Sequence, residues 1–298
     1  MFMEPDPIVA GVELGGTKSI AVIGRGRDIL ASHRVPTTTP DETLGELARQ
    51  LSAWHSEFAP QAIGIASFGP IAVNDGTMLP TPKPHWAGAD IVGALSPGFD
   101  AVAFHTDVTG AALGEGRWGA AQGLSDYIYV TVGTGVGMGI IAGGRPVTGR
   151  MHPEAGHIRV RRRADDAFAG ACPFHGDCLE GLVSGPAIAA RSGGPAHLLG
   201  AGDPAWRDVA DALGEAFATL FLTLSPARII VGGGVGLGQP HVLDMVRERT
   251  VAALGGYLRY VDAGTIGEQI VPAALGEQAG PLGTLVMARA LLPGGVAA

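Results

Sequence analysis

Residues 127–144 read YIYVTVGTGVGMGIIAGG: six β-prone residues, a turn of glycine and threonine, and a second β-prone run. Within it, residues 131–139 resemble the glycine fingerprint of a dinucleotide site, but such a fingerprint must open a helix whose N-terminus meets the pyrophosphate. Here the chain returns as a strand. The stretch is therefore read as a β-hairpin, and the dinucleotide-binding fold is set aside.

The pattern has a counterpart at the start of the chain. Ile8–Leu14 alternates and is β-rich, Gly15, Gly16, Thr17 and Lys18 make a tight turn, and residues 19–24 return as a second strand. No close sequence repeat relates the two hairpins, yet one stands near the start of each half, as expected of two similar modules facing each other across a cleft. Further strands are predicted at 29–36, 62–66, 101–106, 228–231 and near 269–271, and helices at 41–58, 91–95, 109–119, 204–224, 240–253 and 281–292. Leu44, Leu47, Leu51 and Trp54 share one face of the first helix, and Val209, Leu213, Phe217 and Leu220 share one face of the helix at 204–224. The alternation is that of an α/β protein with two lobes.

A chain of 298 residues with 46% hydrophobic and 16% charged content buries substantial cores and is not a disordered composition. Its 48 glycines follow no collagen period or linker pattern, so most are expected in turns or where backbone approaches a ligand. The net charge of −8 argues against a nucleic-acid footprint. The one basic run, residues 159–163, is read as a solvated, structural face. No apolar run reaches the roughly 18–20 residues that span a bilayer, and the N-terminus has no signal-peptide pattern, so a cytoplasmic location is expected. A Cys172–Cys178 disulfide is disfavoured there, which adds weight to metal binding.

Four places carry candidate chemistry. The Gly15–Gly16–Thr17–Lys18 turn offers backbone N–H groups, a hydroxyl and an ammonium that suit phosphate oxygens, although an ordinary hairpin has the same needs. With the second turn, it suggests a nucleotide gripped from both lobes. Gly232, Gly233 and Gly234 end a strand and precede a helix, where backbone can lie against a ring or a phosphate. Asp107 stands between a strand and a helix, placed either to cap the helix or to act as a base toward a hydroxyl. Finally, Cys172-x2-His175-x2-Cys178 with His157 upstream matches a closed Cys2His2 zinc site, the alternative being a reduced, buried cysteine pair with surface histidines. Tying His157 and Cys178 to one ion would fix the nearby carboxylates of Glu154 and Glu180 in space.

Taken in order, TPKP (81–84), TDVTGAALGE (106–115), EAGH (154–157) and GACPFHGDCLEG (170–181) resemble the ROK family of repressors and sugar kinases, and within it the bacterial fructokinase branch. The similarity extends over about residues 9–290. It implies a two-lobed actin-like ATPase (ribonuclease H-like) fold with an inserted zinc-binding loop and with ATP and Mg2+ in the cleft. The smaller lobe would comprise 1–115 plus 281–298, and the larger lobe 116–280.

Carried over by position, Asp107 resembles the catalytic base, and Glu154, His157 and Glu180 resemble the sugar contacts. His157, Cys172, His175 and Cys178 resemble the zinc ligands. Gly15, Gly16, Thr17 and Lys18 resemble the first phosphate motif, Thr134 and Gly135 the second, and Gly233 and Gly234 the adenosine motif. Three residues depart from the pattern: Glu13 where most members have Asp, Thr109 where Asn is common, and His85 where TPKPGW has Gly.

The expected activity is ATP-dependent phosphorylation of D-fructose at the 6-hydroxyl by a homodimer. The rivals are a kinase for glucose, mannose or an N-acetylated amino sugar, a non-catalytic sugar-responsive regulator, and a zinc hydrolase. A regulator of that kind needs a DNA-binding helix-turn-helix, and only ten residues precede Gly11. The hydrolase needs an open metal position, which four protein ligands deny.

Overall fold

The computed structural model describes residues 6–295, and the chain divides into two compact units. The first comprises the residues up to Gly123, the segment Gly144–Pro153 and the residues from Glu277 onward; the second comprises Leu124–Gly143 and Glu154–Gly276. Segment 144–153, which the sequence reading assigns to the larger lobe, groups with the first unit, where buried His152 accepts a hydrogen bond from Ile71 N through Nε2 (3.0 Å).

In chain order the first unit holds β1 (Ile8–Leu14), β2 (Lys18–Arg25), β3 (Asp28–Pro36), α1 (Pro40–Phe58) and β4 (Ile63–Ser67). A small ladder of β5 (Ile71–Ala72) and β6 (Thr77–Met78) follows, then α2 (Ile91–Leu95), β7 (Val102–Thr106) and α3 (Asp107–Trp118). The second unit holds β8 (Tyr127–Val132) and β9 (Val136–Ala142), and the returning segment carries β10 (Arg145–Pro146). The second unit continues with α4 (Leu179–Val183), α5 (Gly185–Ser192), α6 (Ala205–Leu224), β11 (Arg228–Gly232) and α7 (Gly233–Gly238). It ends with α8 (Pro240–Leu254), α9 (Ile266–Gln269) and β12 (Ile270–Pro272), and α10 (Ala279–Ala290) closes the first unit.

Both sheets follow one scheme. In the first unit the strand order is β3-β2-β1-β4-β7, with β1–β2 and β2–β3 antiparallel and β1–β4 and β4–β7 parallel. In the second unit β9, β8, β11 and β12 lie in that order, β8–β9 antiparallel and the remaining pairs parallel. The chain is thus α/β, and both glycine stretches are hairpin turns.

Helix α1 begins where Thr39 accepts from Glu42 N and Pro40 fills the first turn, and it buries Leu44, Leu47, Leu51 and Trp54, the face read from their spacing. Helix α6 likewise buries Val209, Leu213, Phe217 and Leu220.

The glycines do more than turn the chain. Helix α10 lies so close on its neighbours that a Cβ at Gly11 of β1 would overlap Thr284 Oγ1, one at Gly64 of β4 would overlap the Thr284 carbonyl oxygen, and one at Gly283 would overlap the Gly110 carbonyl oxygen of α3. Backbone therefore packs on backbone between β4 and α10 and between α3 and α10, while Gly11 of β1 makes room for the Thr284 side chain. The expectation that most glycines serve turns or ligands omitted this use.

That packing reverses an ordinary preference. Gly283→Ala is expected to destabilise the protein by about 1–3 kcal/mol through overpacking, although helix propensity alone favours Ala by roughly 1 kcal/mol. Gly45→Ala in α1, where an added Cβ meets nothing within 4 Å, is expected to stabilise by about 0.5–1 kcal/mol. Urea denaturation of the two variants checks the opposite signs.

Candidate active-site residues and metal cluster

In the first unit the β1–β2 turn is closed by Gly15 N donating to Lys18 O (3.0 Å) and braced from behind by Thr37, whose Oγ1 donates to Gly15 O (2.8 Å). A Cβ added at Gly16 meets nothing within 4 Å, so the outer side of the turn is open to an approaching ligand. Lys18 extends to Glu277 (2.9 Å), which Arg34 also approaches at 3.7 Å.

Asp107 is the first residue of α3, and the cap belongs to the residue before it. Thr106 Oγ1 accepts from Thr109 N at 3.2 Å, so the N-cap alternative for Asp107 is corrected. Asp107 Oδ1 accepts from Val108 N at 2.8 Å, which sets the carboxylate against the positive end of a 12-residue helix. Thr109, at the position where Asn is common, is buried and its hydroxyl is bonded to that of Thr106 (2.7 Å). It serves the helix start.

Glu13, on β1, feels the charge of Asp107. Burial first, and then the like charge of Asp107, push its pKa up to about 7, against the lowering influence of Lys18 and Arg34. The carboxylate fits against the first turn of α10 only because residue 280 is glycine: a Cβ there would overlap it. Sequence reasoning marks Glu13 as a departure but has no signal for its coupling to Asp107, since one lies on β1 and the other opens α3.

The second unit gathers a different set. Gly133 N donates to Gly135 O across the β8–β9 turn (2.9 Å), and Gly133 O accepts from Gly185 N (2.7 Å). Glu180 Oε2 accepts from Val136 N at 3.1 Å, which places this carboxylate beside Thr134 and Gly135. Gly233, with φ of 83°, lies against Val132, where a Cβ would overlap the carbonyl oxygen. Gly156, between Glu154 and His157, packs equally closely on the Val136 carbonyl. The second turn, the Gly233–Gly234 segment and the Glu154–His157 turn therefore converge on the β8–β9 hairpin.

Beside them His157, Cys172, His175 and Cys178 bring one ligand atom each within 4.8 Å of one another. Cys172 Sγ stands 3.7 Å from Nδ1 of both histidines, and Cys178 Sγ stands 3.5 Å from His157 Nδ1. A tetrahedral Zn2+ with bonds of about 2.3 Å to sulfur and 2.0–2.1 Å to nitrogen has S···N edges of about 3.6 Å. The donor set and its spacing thus fit that ion. The two thiols are free and buried, and burial pushes the Cys178 thiol up from its ordinary pKa. The loop is shaped by paired backbone bonds between Cys172 and Gly176 and by Ala171 N to Gly181 O (2.9 Å).

The basic run expected to be a solvated face is instead ion-paired. Arg159 and Arg162 both hold Asp177, which lies between two cluster residues, and Arg162 and Arg191 hold Asp166. Arg191 also reaches Asp208 on α6 (2.8 Å), and Arg163 reaches Asp208 and Asp211. The guanidinium of Arg191 is the main cause holding the Asp166 carboxyl well below the usual range. The longer-range bonds tie the cluster loop to α5 and α6; no spacing rule on the sequence pairs residues so far apart.

Residues 9–290 match the family described as the ROK family. The chain is 40% identical over 306 residues to the fructokinase of Zymomonas mobilis, covering 97% of this chain and 99% of that protein. It is 37% identical over 292 residues to the fructokinase of Pediococcus pentosaceus, with 96% and 99% covered. A ROK family glucokinase from Streptomyces griseus, solved in complex with glucose and AMPPNP, aligns with a TM-score of 0.72 and 26% identity over 95% of this chain and 99% of that one.

The raised pKa of Glu13 has a stability consequence with a definite sign. Because the folded value of about 7 exceeds the ordinary 4.5, the folded state binds the extra proton between those values; the contribution of this group to stability is full below about pH 4.5 and is lost as pH rises through 7. Glu13→Gln is expected to abolish this loss, and at pH 8 to stabilise the metal-free protein by up to about 3 kcal/mol. Melting temperatures at pH 5 and pH 8 check it: a wild-type protein whose melting relative to Glu13→Gln is the same at both would contradict the assignment.

Proposed function

Because the chain belongs to the ROK family, we infer that it is a fructokinase, transferring the terminal phosphoryl group of ATP to the 6-hydroxyl of D-fructose. The observation that carries this reading is the identity to two fructokinases along nearly the whole of each chain. We read the two sheets as the lobes of an actin-like ATPase (ribonuclease H-like) fold.

In this mechanism Asp107 accepts the proton of the 6-hydroxyl as its oxygen attacks phosphorus, a contribution of about 10²- to 10⁴-fold for a positioned base. The Thr106 cap and the Val108 N–H fix that carboxylate, so little reorganisation is needed. Gly15, Gly16, Thr17 and Lys18 take the first phosphate contacts, Thr134 and Gly135 the second, and Gly233 and Gly234 the adenosine. Glu154, His157 and Glu180 hold sugar hydroxyls.

Mg2+, when bound, neutralises charge on the phosphate oxygens. Glu13 would suit it, because a nearby divalent cation relieves the burial and like-charge crowding that lift its pKa, leaving Asp107 as the base. Zn2+ in the Cys2His2 cluster is structural, since four protein ligands close its coordination and keep the loop that carries Glu180 in one shape. The same reading makes the protein a cytoplasmic homodimer in which Cys172 and Cys178 stay reduced.

A coupled ADP-release assay across D-fructose, glucose, mannose and N-acetylmannosamine should give the highest kcat/KM with D-fructose. Asp107→Asn should lower kcat by about 100-fold or more at an unchanged melting temperature. Absence of turnover with every sugar would sink the kinase reading in favour of a sugar-responsive regulator. For the metal, elemental analysis should find about one zinc per chain, and chelation or Cys178→Ser should lower the melting temperature. Metal-free protein that melts and turns over like the original would contradict the structural role.

A further inference from the structure

The loop that reads TPKP holds a lysine to which the roles above give no task. Lys83 Nζ donates to Gly16 O, at the open side of the first phosphate turn, with a distance of 2.7 Å. Pro82 and Pro84 flank it and restrict its backbone. Three residues on, Trp86 is fully buried, donates from Nε1 to Thr38 O (2.7 Å) and returns its backbone N–H toward Lys83 O (3.4 Å). The chain thus presents this ammonium from an anchored loop, which lowers the entropy lost on holding a ligand.

Even the strain of the loop is consistent with that anchoring: His85, between Pro84 and Trp86, keeps a left-handed backbone with φ of 71° although it is not glycine.

The two lysines at the turn differ in state. Lys18 is paired with the Glu277 carboxylate, so much of its charge is already met. Lys83 is held by a neutral carbonyl, and among the described residues no ion pair engages it. An ammonium carries three donors; the bond to Gly16 uses one. Gly16 is exposed and an added Cβ there meets nothing within 4 Å, so this side of the turn is accessible to an anion.

We propose that Lys83 is a further phosphate-binding residue, its ammonium contacting the phosphoryl oxygens of the nucleotide held at the Gly15–Lys18 turn. The inference rests on the kinase reading of that turn. Its positive charge stabilises the phosphoryl group as charge shifts toward the leaving oxygen, and its bond to Gly16 keeps it within reach. The competing role is a clamp, in which Lys83 only shapes the turn through the Gly16 carbonyl and a neutral donor serves equally well.

Kinetics and calorimetric ADP titrations of Lys83→Met, Lys83→Gln and Lys83→Arg separate the two. Loss of the charge in the Met and Gln variants should lower kcat/KM for ATP by about 10- to 100-fold and weaken ADP binding. The KM for fructose and the melting temperature should stay near wild type, and Arg should recover most of the loss. A Gln variant that behaves as wild type would make Lys83 a clamp and overturn the proposal, as would a Met variant with unaltered ADP affinity and kcat/KM. Should the wild type bind ADP yet turn over no hexose, the kinase reading would fall, while the ADP affinities of the three variants would still decide for or against Lys83.

Discussion

The contact on which the first unit depends is the close approach of helix α10 to glycines of its neighbours. Helix α10 rests on β1 and β4 with Gly11 and Gly64 beneath Thr284, and it meets α3 with Gly283 on Gly110. Side chains at these places would hold the helices away from the sheet. Close packing instead brings the first turn of α10 against the carboxylate of Glu13 and fixes the axis along which α3 presents Asp107. The raised pKa of Glu13 is an electrostatic consequence of that steric arrangement, because burial and a neighbouring like charge both disfavour the ionised form.

The second unit reaches rigidity by other means. Beyond its backbone bonds, the loop with both cysteines has two features that bear on its shape: candidate ligand atoms gathered around one point and charge pairs at its edge. The four ligand atoms within 4.8 Å supply the first; Asp177, held by Arg159 and Arg162, supplies the second. Through Asp166 and Asp208 the same arginine system continues to α6, several of its members largely buried. Removing one partner from such a network leaves an unmatched charge in a poorly solvated place, which costs more than the pair contributes. Glu180, two residues beyond Cys178, joins this loop to the β8–β9 hairpin by accepting from Val136 N.

Much of this was legible in residue order. Alternation in Ile8–Leu14, the return of YIYVTV through glycine into a second strand, and the face of Leu44, Leu47, Leu51 and Trp54 each specify an element through local stereochemistry. The Cys2His2 grouping was also readable, since three of its members lie within seven residues and one turn can gather them. His157, 15 residues before Cys172, joined them by residue type and by resemblance.

Other features became definite only in three dimensions. The cap of α3 passed to Thr106 because dihedral geometry, not residue preference, decides which hydroxyl faces the helix start. Lys83 on the Gly16 carbonyl, Glu13 beside Asp107 and Arg191 between Asp166 and Asp208 join residues on separate elements. The amino-acid sequence by itself determined the α/β alternation, the two hairpins and the ligand types, because periodicity and turn chemistry act over a few neighbours. Only the tertiary structure decided which charges meet and which glycines carry a helix, because electrostatic coupling and steric contact depend on distance in space and not along the chain.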